Sequence, residues 1–201
     1  MNRLYPILLL LPAFWGCADK SSDTAETDTD SEGDADADSD SDADTDTDAD
    51  TDTQATTDVE VYINEIMSSN ATVHPDETGA FPDWAEVWNG TGAELDLSGW
   101  FISDDDSWTD KWAFPPGTVL PAGGFVVVFC DGDVLDGPLH TSFKLKADGE
   151  FLGIYSPLAD GNRLADKENY PLSAIDISWA RQPDGGAFAD DATPTPGAAN
   201  Q

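Results

Sequence analysis

Few side chains in this 201-residue chain are equipped for covalent chemistry. There are two histidines, His74 and His140, and two cysteines, Cys17 and Cys130. Neither histidine belongs to an H-E-x-x-H pair or to a cysteine cluster, so no zinc motif forms. No serine sits in a G-x-S-x-G elbow, and no glycine loop has the phosphate-cradling pattern. Cys130 with Asp131 and His140 spells a thiol, a carboxylate and a base. Cys130 also closes the apolar run FVVVF, where a thiol serves as a small hydrophobe. The second role is the expectation, so the chain reads as a non-enzyme with no catalytic residue and no cofactor.

Binding chemistry is better represented. In Asp83-Trp84-Ala85-Glu86-Val87-Trp88, period two puts Ala85 and Val87 on one face and Trp84, Glu86 and Trp88 on the other. The aliphatic pair suits a core. Two indoles flanking a carboxylate on an outer face suit a sugar ring or a peptide; packed beneath loops, they are structural. Trp108, in the acidic loop 104–110, is the tryptophan expected to be most exposed. Trp84, Glu86, Trp88 and Trp108 are therefore the candidate ligand-binding residues.

Two acidic turns, SDDDSWTD (103–110) and DGDVLDG (131–137), hold oxygen ligands of the kind Ca²⁺ takes. In the second, the third carboxylate comes one place late for a helix-loop-helix calcium loop, and Ser142 stands where that loop needs Glu. Asp and Gly are common in turns without metal, so no metal ligand is assigned.

The elements that must position these groups are short. VYINEIM, DWAEVWN, AELDLSGWFISDD, KWAFPPGTVLPAGGF and VVVF are apolar runs bounded by Gly, Pro, Asn or Asp. No segment of helical length has a period near 3.6, so the pattern is many short strands, an all-β sandwich or barrel. Gly123-Gly124, Asp148-Gly149, Asp160-Gly161 and Asp184-Gly185 are turn signals. Asp148-Gly149, between FKLKA and EFLGIY, is the firmest hairpin expectation. Pro115-Pro116-Gly117 and Pro194-Thr195-Pro196-Gly197 mark a crossing and the end of the fold.

Ahead of these runs the composition changes. Residues 1–16 combine Arg3 with an apolar stretch of about a dozen residues, short of the roughly 20 a membrane helix needs but right for a signal peptide. Cys17 follows where a lipoprotein signal is cut and lipidated. Phe14 and Trp15 depart from the Leu and small residue usual there, and cleavage near Ala18, giving a secreted protein, is the alternative. Residues 17–58 form an acidic tether in which every even position from Glu26 to Asp52 is Asp or Glu. With small or polar residues between, neither face has anything to bury, so disorder is expected.

Of the formal charge of −33, residues 59–201 carry −18. Such a surface repels phosphate backbones, so nucleic acid is not an expected partner. About 140 residues suffice for one core without staples, and a Cys17–Cys130 disulfide is not expected.

Several runs also resemble a known family. INEI (63–66), DWAEVWN (83–89), LDLSGWFISDD (95–105) and KWAFPPGTVLPAGGFVVVF (111–129) are similar to the lamin-tail domain, as are HTSFKLKADGEFLGIYSP (140–157), ISWARQPDG (177–185) and PTPGAAN (194–200). The resemblance implies an immunoglobulin-like β-sandwich over 59–201 with a non-catalytic role. Bacterial members sit on secreted or surface proteins, often beside hydrolase domains. The expectation is a lipoprotein on the bacterial outer membrane or cell surface, anchored through Cys17, whose sandwich recognises an envelope protein or a glycan. The alternatives are a component of an extracellular hydrolase system and a Ca²⁺-stabilised adhesive module.

Overall fold

The computed structural model describes residues 59–201. The expected signal segment 1–16 and tether 17–58, Cys17 included, lie outside the described residues. Strands β1 (Val61–Met67), β2 (Trp84–Asn89), β3 (Leu95–Asp96), β4 (Phe101–Ser103), β5 (Trp112–Ala113) and β6 (Val119–Leu120) come first. β7 (Phe125–Phe129), β8 (Gly149–Tyr155), β9 (Leu164–Pro171), β10 (Ser178–Gln182) and β11 (Ala187–Asp191) follow. They form a five-stranded sheet in the order β11-β10-β1-β2-β7, a four-stranded sheet in the order β5-β4-β8-β9 and a small β3-β6 pair, all antiparallel. The expected immunoglobulin-like sandwich is thus observed.

Alternation builds the core. Ile63, Ile66, Ala85, Val87 and Val128 pack, fully buried, with Ile102, Leu152 and Ile154 of the four-stranded sheet. Each large aliphatic side chain removed from water contributes about 1.5–3 kcal/mol. β1 breaks the alternation once: Ile63 pairs with Val87 but Glu65 pairs with Glu86, so Asn64 is the extra residue of a β-bulge.

Three turn signals join strands as expected: 123–124 before β7, 160–161 between β8 and β9, and 184–185 between β10 and β11. Asp148-Gly149 does not. Residues 143–147 form no strand, only an isolated bridge between Asp131 and Lys144, and β8 pairs instead with β4 and β9. Gly149 begins β8 with φ 91°, and a Cβ there would lie 2.4 Å from the Tyr170 carbonyl. Glycine at 149 serves close backbone approach rather than a hairpin.

Candidate functional site

The outer face of the five-stranded sheet is built in three cross-strand rows. Met67, Trp84 and Phe129 form the first. The loop between β1 and β2 covers it, with Val73 packed on the row and the His74 ring 5.6 Å from that of Phe129. Glu65, Glu86 and Val127 form the second, and residues 193–200 lie over its two glutamates. Tyr62, Trp88 and Phe125 form the third, with ring centroids 5.6 and 6.5 Å apart, all half-buried.

Two expectations are therefore corrected. Trp84 and Glu86 lie on the face that period two gives them, but neither has any exposed surface. β2 is central, and chain from elsewhere roofs it. Trp88 is half-buried, with Gly185 pressed so close that a Cβ there would lie 2.7 Å from the indole. Trp108 is 55% exposed, in the loop after β4 of the other sheet, with the Lys111 ammonium 5.6 Å from its ring. The four candidates do not assemble into one site.

Beneath the roof is a carboxylate network. Ser178 Oγ donates to Glu65 Oε1, and Thr195 N–H donates to Glu65 Oε2 at 3.2 Å. Glu86 accepts from Asn64 Nδ2 at 3.1 Å and from Gly197 N–H at 2.6 Å. Burial pushes both acids up, Glu65 to about 7 and Glu86 to about 8, against the pull of these hydrogen bonds.

The DGDVLDG turn lies beside His140, which is buried. Its Nδ1 is 2.7 Å from Asp131 Oδ2 and its Nε2 is 3.2 Å from Glu77 Oε2. Burial lowers the pKa of this imidazole, but the two carboxylates outweigh it and hold the ring above its ordinary value. Asp131, Asp136 and His140 are near enough to share a cation; a protonated ring already satisfies the two carboxylates that touch it. In the other acidic turn, Asp104 pairs with Lys111, and Asp105 accepts from Ser107.

At the far side of the five-stranded sheet, β7 is an edge. Phe129 turns its backbone away from β2, its N–H donating to the Leu139 carbonyl and its own carbonyl accepting from Thr141 N–H, both at 2.8 Å. Backbone direction alternates along a strand, so Val127 and Phe125 point the same way. Neither has a hydrogen-bond partner on that side among the described residues. A groove of about 480 Å³ opens there, lined by Pro115, Pro116, Val119, Val126, Pro138 and Leu139.

A family model described as Lamin Tail Domain matches residues 54–170. The chain belongs to the lamin tail domain family. Comparison with curated proteins and with solved structures gives no match. The family is immunoglobulin-like and non-catalytic, and suits an interaction module. In this lamin tail domain the matched stretch ends before β10, yet β10 lies between β1 and β11, so the fold extends past the match.

The buried acids Glu65 and Glu86 are held inside the fold by hydrogen bonds from the backbone and from Ser178 and Asn64. Cys130 is buried at the end of β7, and burial pushes its thiol far up, the opposite of an activated nucleophile. Sequence reasoning missed the β7 edge. Its signal was present, since FVVVF carries no charge and no proline, but whether a strand is central or marginal depends on partners that local pattern does not name.

Proposed function

We propose that this chain is an exported lipoprotein, anchored through lipid on Cys17 and spaced from the membrane by its acidic tether, whose lamin tail sandwich recognises a protein partner at the cell envelope. One observation carries the recognition reading. Glu65 and Glu86 accept backbone N–H groups and His140 is held between Asp131 and Glu77, whereas an apolar strand edge beside a groove is left open among the described residues. A glycan reading loses support because Trp84 and Glu86 offer no surface to a sugar.

Anchoring is tested by mass spectrometry of the amino terminus of protein recovered from membranes. Acylated Cys17 as the first residue is expected, and an unmodified Cys17 overturns it. Recognition is tested by pull-down from envelope extracts with the mature chain. A protein retained reproducibly and lost in competition with free mature chain is expected, and no such protein counts against the reading.

A further inference from the structure

The sheet margins are unequally defended. Natural edge strands avoid open-ended pairing through charge, proline, bulges or shortness. β11 carries Asp190 and Asp191, β9 carries Asp166, Lys167 and Glu168 and ends at Pro171, and β5 has two residues. β7 reads FVVVF, pairs with β2 in unbroken register and has none of these devices.

We infer that β7 accepts an extended strand from a partner protein, and that this strand is flanked by Lys or Arg. The inference rests on the recognition reading above and gives it a site and a partner class. The outward N–H and C=O groups of Phe125 and Val127 supply the main-chain pairing, and the adjoining groove takes side chains of the added strand.

Charge selects the occupant. Among the described residues, no Lys or Arg lines the groove. Beyond the carboxyl end of β7 come Asp131, Asp133 and Asp136; Asp131 and Glu77 both contact His140, and Lys144 meets Asp131 through a backbone bridge. On the groove's other wall, Asp96 pairs with Val119. A second copy would bring another −18 against the first. A basic strand meets attraction where a copy of this domain meets repulsion.

The test titrates the full chain with a blocked heptapeptide alternating Lys and Val. Three relatives serve as controls: one N-methylated at alternate amides along one edge, one along the other, and one with Glu replacing Lys. Expected are slowed amide exchange at Phe125 and Val127, at least tenfold weaker binding by one N-methylated peptide, and no binding by the acidic one. Val127→Pro, which removes one outward N–H, should weaken binding at least tenfold. The N-methylated peptides ask the same question of unaltered protein should that variant fold poorly.

Binding that leaves β7 exchange unchanged, as by the acidic tether alone, overturns the inference. So does equal affinity for all three Lys-containing peptides. Dimerisation without peptide that protects β7 also overturns it, and makes a second copy the occupant. If β7 stays silent while the mature chain still retains an envelope protein, the edge site falls and the recognition reading stands. If both fail, the reading falls with it.

Discussion

Glu65 and Glu86 face each other across β1 and β2 with no exposed surface, and each accepts a backbone N–H from the same closing segment. Thr195 serves one and Gly197 the other. Like charges directly opposite on a sheet are unfavourable, and burial already favours the protonated forms.

Stability should therefore fall as pH rises. An unfolded glutamate titrates near 4.3, while burial places the folded pair at about 7 and about 8. Between those limits the folded chain holds protons the unfolded chain has released, so the unfolding free energy declines with pH. His140, raised by Asp131 and Glu77, adds the same sign above its ordinary value. A loss on the order of a few kcal/mol is expected between about pH 5 and about pH 8. Calorimetry should show Tm dropping across that range, with a shallower slope in Glu86→Gln. A Tm that is flat or climbs would exclude the buried-pair account.

A second prediction concerns the place where β10 parts from β1. The two strands pair only at Glu65–Ala180 and Ile66–Trp179. At Ile63 side chains replace the ladder: its N–H donates to Asp166 Oδ2 and its carbonyl accepts from Arg181 Nε, both at 2.9 Å. Arg181 Nη2 also donates to both Asp166 oxygens at 2.9 Å, tying the two sheets together. Asp166→Ala strands a largely buried guanidinium and an amide, and should cost about 3–5 kcal/mol. Adding Arg181→Met should recover part of that loss. Denaturant unfolding of the single and double variants decides it; additive losses would show that the pair is not coupled.

Much of this was legible in the sequence, for a physical reason. Strand identity is local, so INEIM, WAEVWN and FVVVF read correctly from composition and period. Cover is not local. The side chains at 84 and 86 take the face that period two assigns, but the chain that buries them comes from residues 68–83 and 193–200. The bulge at Asn64 leaves no mark either, since Asn and Glu are both polar and only pairing reveals which is extra. Gly149 misled because a glycine needed for close approach to Tyr170 spells the same dipeptide as a hairpin turn.

Cys130 should be inert in the folded chain. It is 1% exposed, and burial holds its thiol protonated well above neutral pH. A thiol reagent such as Ellman's should leave it unlabelled under native conditions and label it on unfolding. In lipidated protein, where Cys17 is blocked, one reactive thiol should then appear. Fast native labelling would revive the nucleophile reading.

The last prediction concerns Asn200, which fastens the roof over the two glutamates. Its N–H donates to Asp184 Oδ1 at 2.9 Å, and its Nδ2 donates to the Asn64 and Arg181 carbonyls at 3.2 and 2.9 Å. Its Oδ1 accepts from Thr195 Oγ1 at 2.6 Å. Asn200→Ala leaves two carbonyls and a hydroxyl without this partner, at a cost of about 1–3 kcal/mol. It should also quicken amide exchange at Thr195 and Gly197, the two donors that Asn200 holds in place. Water would then reach Glu65 and Glu86, their acidity would return toward the ordinary range, and the pH slope of stability would flatten. Gln201→Ala, at an exposed neighbour, should change none of these. If Asn200→Ala lowered Tm yet left exchange and slope as they were, the loss would be local and the closing segment would not govern the acidity beneath it.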